Sequence, residues 1–291
     1  MTTSGMEKAG LVERLRNWPR GLLHVLLTAG ALLMLYPLLW MISSSFKPES
    51  QIFTGLNLFP THPNLSNYSA GWNALGTPFT GFFLNSVILC VLSVLGNLFS
   101  CSLAAFAFAR LKFPLRKILF GLMLATIMLP FHVTIVPQYI LFKKIGWVGT
   151  MLPVVAPKFL AVDAFFVFLL VQFIRTIPVD LDDAAKIDGC GPYRLFFRVV
   201  LPLMVPALAT TAIFTFLWTW NDFFSQLLYL GGKVQSYTIP VALRAFIDNT
   251  SQSSWGQLLA MSLLSLLPII GFFVAFQRLL LDGISTTGIR G

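Results

Sequence analysis

The chain reads as an all-α, polytopic membrane protein with six transmembrane helices. Three observations predict this. Hydrophobic residues fill 56% of the 291 positions and charged residues only 11%, whereas a soluble domain carries about 25% charge. The apolar residues gather into runs of roughly 20 or more, the length that one helical crossing needs. The polar and basic residues fall between those runs. A membrane β-barrel would instead show many short alternating strands.

The N-terminal segment, residues 1–20, is polar and carries Lys8, Arg14, Arg16 and Arg20. Residues 21–42 form the first span. This run is too long for the apolar core of a signal peptide and no Ala-x-Ala site follows it, so it reads as retained. Residues 43–81 read as an extracytoplasmic loop. Pro48, Pro60, Pro63 and Gly71 predict irregular structure there, with room for a short helix. The core, 82–281, begins with the second span, 82–109, followed by four bases between Arg110 and Lys117. The third span is 118–136, ended or kinked at Pro130 and Pro137. The fourth is 150–173, broken near its start by Pro153 and Pro157. A cytoplasmic loop, 174–202, leads to the fifth span at 203–224. A polar loop, 225–255, precedes the sixth span, 256–281. The tail, 282–291, is rich in Gly, Ser and Thr.

Six spans put both termini on one side. The bases cluster in the N-terminal segment, in 110–117, in 174–202 and near the C-terminus, so the positive-inside rule places these in the cytoplasm. In a soluble protein the net charge of +9 would suggest nucleic acid. Here the bases set topology, and no nucleic-acid partner is expected. Cys90 and Cys101 share one predicted helix at a separation of roughly 16 Å, too far to bridge. With Cys190 they read as free thiols.

No phosphate-binding loop occurs. The nearest candidate, Gly231-Gly232-Lys233-Val234, lacks both the loop and the hydroxyl. There is no His-Glu-x-x-His, no Cys/His cluster and no Gly-x-Ser-x-Gly. His24 reads as an interfacial side chain and His62 as a solvated one, neither as a metal ligand. The chain is therefore not read as an enzyme, and it is expected to bind no metal or cofactor itself. Asp163 falls mid-span in the predicted fourth helix, and its i±4 neighbours, Phe159 and Val167, offer no counter-charge. Such an acid is costly unless it faces a cavity or a partner. One reading is a protonated or structurally paired acid; the other is a polar group lining a substrate path. Trp220-Asn221-Asp222 ends the fifth span beside Trp218, Phe223 and Phe224. An interfacial aromatic belt accounts for the tryptophans. Asn221 and Asp222 join Asp163 as candidates for a translocation path, because amides and carboxylates beside aromatic faces suit polyols.

The stretch from Asp180 to Pro206 carries helix punctuation. Asp180 is expected to cap a short helix, with Asp183 in the capping-box position. Gly189 sits where a left-handed C-terminal cap belongs. Pro192 suits the first turn of a second short helix, and Pro202 is expected to end it. An ordered, charged loop between two spans predicts a docking surface.

This stretch also carries a resemblance. Asp183-Ala184-Ala185, three residues, Gly189, nine residues and Val199-Val200-Leu201-Pro202 match the spacing of the Glu-Ala-Ala…Gly…Ile-x-Leu-Pro signature of membrane subunits of ATP-binding-cassette (ABC) importers. Asp183 stands for Glu and Val199 for Ile. Asp188-Gly189 and Leu201-Pro202-Leu203 resemble the carbohydrate branch. Ser45–Glu49, Asn64–Tyr68, Asn85-Ser86, Arg110–Pro114, Met128–Pro130, Trp220–Asp222 and Gly283–Gly291 are similar to the shorter permease of maltose-type sugar importers.

The resemblance covers nearly the whole chain. It implies the type I ABC importer permease fold in a bacterial or archaeal cell membrane. It also implies a second, homologous permease, two ATPase subunits that use ATP and Mg, an extracytoplasmic sugar-binding protein and a sugar or oligosaccharide as substrate. Asp182, Asp183, Ala184, Ala185, Asp188 and Gly189 would form the helix that couples to the ATPase. Gly288, Ile289, Arg290 and Gly291 would reach the ATPase dimer. The rival reading is an ion-coupled secondary transporter, which expects internal repeats and discontinuous helices holding ionisable groups at the bilayer midplane; only Asp163 fits it.

Overall fold

A computed structural model of the protein describes residues 20–54, 60, 63–248 and 254–285. Among these, all regular structure is helical. Four helical stretches are long and apolar enough to cross a membrane: Gly21–Ser45, Phe79–Arg110, Leu152–Thr176 and Trp255–Gln277. Two further bent pairs of helices are apolar and long enough together, which brings the number to six when each pair is counted as one span. The first pair is Arg116–Ile127 with Phe131–Lys144, bent by 101°; the second is Pro192–Leu203 with Val205–Asn221, bent by 76°.

The first span is α1, Arg20–Ser45, and two short helices follow it, α2 (Glu49–Ile52) and α3 (Ser66–Asn73). The 43–81 segment is thus more helical than its turn residues suggest. His62 lies outside the described residues. The second span, α4 (Phe79–Arg110), is the axis of the molecule. It packs on the 156–160 turn and on the fourth and fifth spans. The middle of its buried face is rich in small and weakly polar residues, Ser93, Gly96, Asn97, Ser100 and Ser102, flanked by Phe79, Phe82 and Leu89 on one side and Phe106 on the other. Lipid gives apolar side chains no reason to leave it, so small residues that let backbones approach closely drive helix packing in membranes. Gly96 shows the constraint: a Cβ there would lie 2.8 Å from Phe159 Cδ2 and 3.0 Å from Lys158 Cβ.

The third span is α5 (Arg116–Ile127) and α6 (Phe131–Lys144). Of its two prolines, Pro130 marks the sharp bend, while Pro137 lies inside α6. The fourth span begins with α7 (Leu152–Val155) and a 3-10 turn, Ala156–Leu160. Pro153 and Pro157 each sit in a first turn, where a missing N–H costs nothing. The break itself is at Ala161, which adopts a left-handed φ of 54°. The helix then restarts as α8 (Ala164–Thr176).

The loop helices are α9 (Asp180–Ile187) and α10 (Pro192–Leu195). A π-turn at Phe196–Val200 and α11 (Leu201–Leu203) lead to the fifth span, α12 (Val205–Asn221). The segment expected as a polar loop, 225–255, is instead largely ordered, as α13 (Phe224–Leu230), a 3-10 turn (Val234–Ser236) and α14 (Ile239–Asp248). Ile239, Ala242 and Phe246 bury one face of α14 against Phe79, Phe82, Phe216 and Trp220. The Asn85 amide donates to the Gln235 and Tyr237 carbonyls at 2.8 and 2.9 Å, and the Ile239 N–H donates to Ser86 Oγ at 2.9 Å.

The last span, α15 (Trp255–Ser285), packs on α12, α1 and α3. Its first N–H groups are capped from a distance: Trp255 N and Gly256 N donate to the two carboxylate oxygens of Glu49 at 2.8 and 3.0 Å. An acid at a helix N-terminus satisfies orphan donors and complements the helix dipole.

Candidate functional site

The docking stretch is built from α9 and α10. The Val179 backbone is already helical, so its carbonyl accepts from Asp182 N at 2.8 Å and Asp183 N at 3.2 Å. Asp180 is therefore the first helical residue and makes no side-chain cap, because a cap needs a non-helical backbone. The expected capping box is absent; Asp183 Oδ1 instead takes Lys186 Nζ at 2.8 Å on the exposed face. The acids of the first turn still suit the helix dipole.

The far end of α9 fulfils its expectation. Gly189 has a φ of 76°, Gly189 N donates to the Lys186 carbonyl at 3.0 Å and Cys190 N to the Ala185 carbonyl at 2.9 Å. These are the paired bonds of a Schellman cap. A Cβ on Gly189 would meet nothing within 4 Å, so glycine is required by the backbone rather than by space.

Pro192 opens α10, but Pro202 does not end the second helical run. The chain widens into the π-turn just before Pro202, with Leu201 N donating to the Phe196 carbonyl, and continues to Leu203. A wider turn accommodates a residue with no N–H to give. The run breaks at Met204 instead, in the core.

The helix has two faces. Asp182 and Ala185, three residues apart, are buried; Asp182 is 3% exposed. Its Oδ2 lies 2.9 Å from Arg110 Nε at the end of α4. Asp182 thus looks into its own subunit rather than outward. Asp183, Ala184, Asp188 and Gly189 are exposed. Beside them stand exposed apolar side chains, Val179, Leu181, Ile187 and Tyr193, and Ile187 is 88% exposed. Beneath, Ala185, Leu195, Phe196 and Val200 join Phe106, Phe166, Leu170 and Ile174 in one core. A packed base therefore carries exposed apolar side chains beside Asp180, Asp183, Lys186 and Asp188.

Asp163 is a paired acid, as one of its two readings has it, but it does not lie mid-helix. It is the residue before α8, at the break in the span, and it is not alone. Its Oδ2 accepts from Lys158 Nζ at 2.8 Å and from the Asn97 amide at 2.6 Å. The same amide donates to Thr215 Oγ1 at 3.1 Å, and Ser100 Oγ donates to the Lys158 carbonyl at 2.6 Å. Lys158 is five residues before Asp163, and the left-handed turn brings it round; helical i±4 counting misses it. The two charged side chains keep about a quarter of their surface exposed (23% and 25%).

Asn221 and Asp222 do not join this cluster. The Asn221 amide donates to the Leu217 carbonyl at 2.8 Å, and Asp222 Oδ1 accepts from Ser225 N at 3.1 Å. Both serve the junction of α12 and α13. Gly288, Ile289, Arg290 and Gly291 lie outside the described residues. Arg110, Lys158, Asn97 and Glu49 are the polar anchors that sequence reasoning missed. For Lys158 and Asp163 the signal was a nearby pair of opposite charges in an apolar run.

Comparison with known proteins fits this architecture. Residues 96–285 match the family described as binding-protein-dependent transport system inner membrane component. The arabinooligosaccharides transport system permease protein AraQ of Halalkalibacterium halodurans is 33% identical, over 93% of this chain and 98% of its own. The trehalose/maltose transport system permease protein MalG of Thermococcus litoralis is 30% identical, over 92% and 97%. The fold is shared with a bacterial ABC transporter involved in the import of the acidic polysaccharide alginate, with a TM-score of 0.77, 20% identity and coverage of 96% and 98%. The chain belongs to the family of binding-protein-dependent transport system inner membrane components, as a multi-pass membrane protein.

Proposed function

We propose that the chain is the permease subunit of an ABC importer and forms, with a second homologous permease, the path for a sugar or oligosaccharide. Two ATPase subunits supply the energy and hold the ATP and Mg. An extracytoplasmic binding protein delivers the sugar. This chain carries no catalysis and no cofactor of its own. Both termini and the α9–α10 loop face the cytoplasm, as the distribution of bases supports.

The observation that carries this reading is the α9–α10 platform, where an exposed apolar and acidic surface sits on a buried core. In the proposed cycle ATP closes the ATPases, α9 moves with them, and the two permeases rock from inward-open to outward-open. A capped helix on a packed base transmits such a displacement, whereas a loose loop dissipates it. Asp163, Asn221 and Asp222 are proposed to contribute polar groups to the path. The ion-coupled alternative is disfavoured by kinship with binding-protein-dependent transport components; the Lys158–Asp163 pair at the broken fourth span does not by itself decide between the two.

Gly189→Val tests the platform. A positive φ costs a β-branched residue about 1 kcal/mol or more, and the side chain projects into the docking surface. The expected result is a membrane-inserted subunit from which the ATPase is lost on co-purification. Asp183→Glu, which keeps the acid beside Lys186, is expected to retain the ATPase. Full retention of ATPase and transport by Gly189→Val would show that this loop is not the coupling element.

A further inference from the structure

We infer that Arg110 is a positioning residue for coupling: it clamps α9 to the end of α4, so that a displacement of α9 is delivered to the central helix. The inference rests on the reading of α9–α10 as the coupling loop.

One guanidinium spans the joint between the fourth span and the loop. Nη2 of Arg110 donates to the Ile177 carbonyl at 2.7 Å, just before α9, and Nε faces Asp182 Oδ2 at 2.9 Å, in its first turn. The side chains of Arg110 and Asp182 are 7% and 4% exposed. Ile177 is itself part of the core under the loop. The joint between α8 and α9 is thereby pinned from α4 on both sides. The other charges of α9 do not compete: Asp180, Asp183, Lys186 and Asp188 are all exposed, and Asp183 pairs with Lys186. Of the basic run after α4, Arg116 donates to the Leu111 carbonyl at 2.8 Å, so its guanidinium is held within its own turn.

The contact is also hard to give up. Asp182 Oδ1 and Arg110 Nε are both buried with no hydrogen-bond partner, so the two groups are held together by charge and each depends on the other. Breaking a buried pair by removing one partner leaves an uncompensated charge. Arginine suits the task because Nη2 donates to the Ile177 carbonyl while the delocalised charge of the same rigid plane lies against Asp182, which a lysine ammonium on a flexible stem does not reproduce. Because α4 packs on α8 and α12, a clamp at its end passes motion of α9 to both of the spans that flank the loop.

The test uses the assembled complex, with Cys190 replaced by Ser and spin labels at Phe99→Cys on α4 and Ile187→Cys on α9; both native side chains are exposed. Distances are measured without nucleotide and after trapping with Mg-ATP and vanadate. With Arg110 present, the distance between the labels is expected to stay single and unchanged on trapping. In Arg110→Gln it is expected to shift or broaden on trapping while the ATPase still co-purifies. Stimulation of ATP hydrolysis by binding protein should fall roughly tenfold per complex, as loss of one charge-assisted contact from the coupling energy predicts. Arg110→Lys should fall between the two.

If Arg110→Gln does not assemble, the double variant Arg110→Gln/Asp182→Asn, which leaves no lone buried charge, takes its place. A distance unaltered by trapping, with normal stimulation, in whichever of these variants assembles overturns the inference. Gly189→Val, measured in parallel, separates the two claims. If it abolishes stimulation while Arg110→Gln does not, the loop couples without the clamp. If both behave as wild type, the loop reading falls as well.

Discussion

Asp163 sits where a charge is expensive and is held there by two partners. Lys158 neutralises it and Asn97 ties it to α4, so the break at Ala161 is closed by polar bonds from two directions. A quarter-exposed ion pair within a span has to face protein or a polar path rather than lipid. Asp163→Asn removes the counter-charge of Lys158. Loss of a hydrogen bond to a charged group costs about 1.5–3 kcal/mol of stability, and if the pair also lines the path, uptake per assembled complex is expected to fall further than assembly does. The double variant Lys158→Gln/Asp163→Asn leaves no lone charge and is expected to recover assembly, but not uptake. Quantifying complex by co-purification and uptake in vesicles separates the two effects. Recovery of both by the double variant would make the pair purely structural. Gly189 illustrates the opposite case, a residue whose role is set by its own backbone and was readable from the sequence alone.

At the level of elements, the helices are held to one another by backbone groups that prolines, turns and helix ends leave open. Glu49 of α2 caps the N-terminus of α15 across the molecule, and the Asn67 amide of α3 donates to the Ser45 and Lys47 carbonyls at 2.8 and 2.9 Å. Together they lock the first span, the short helices after it and the last span into one unit. Glu49→Ala removes both capping bonds and is expected to cost about 1–2 kcal/mol. The check is the thermal unfolding midpoint of the purified complex, which should drop by several degrees; an unaltered midpoint would mean that water caps α15 equally well. The sequence showed Glu49 only as part of a stretch that carries the family resemblance, in a turn-rich segment. Its partners lie at the start of α15, and no local pattern announces a cap that comes from so far along the chain. By contrast α14 was legible in principle, since Ile239, Ala242, Leu243 and Phe246 recur at i, i+3, i+4 and i+7. The glycines and polar residues before it concealed that period.

The whole molecule is a core of α4, α8 and α12 with α1, the bent third span and α15 around it. Large apolar side chains such as Leu27, Leu33 and Met34 on α1, Leu95 and Phe99 on α4, and Phe273 and Val274 on α15 are exposed. Lipid and a partner permease would cover them. The loop surface around Ile187 is exposed for a different reason, because charged residues share it and the bilayer cannot. In the proposed importer the C-terminal tail adds a second contact with the ATPases. Deleting Thr287–Gly291 should leave the spans inserted and weaken stimulation of ATP hydrolysis by binding protein several-fold, on the scale of typical inter-site coupling of about 1–3 kcal/mol. Reconstituted complexes provide the measurement, and normal stimulation after truncation would remove the tail from the coupling scheme.

Composition and the lengths of apolar runs determined the helical membrane class, because the bilayer imposes its own length and satisfies no backbone polar group. The spacing from Asp183 to Pro202 determined which loop is proposed to dock, and Gly189 where its first helix ends, since both are properties of consecutive residues. Tertiary structure decided the rest. The third span turns by 101° and the run into the fifth by 76°, and no residue type fixes such an angle without its neighbours. Pairing of Asp163 with Lys158 and Asn97, and of Asp182 with Arg110, turned an isolated acid into an ion pair and an outward-facing acid into an anchor. A charge inside such a fold is stable only beside its partner, and most of these partners are brought together by helix packing rather than by the order of the chain.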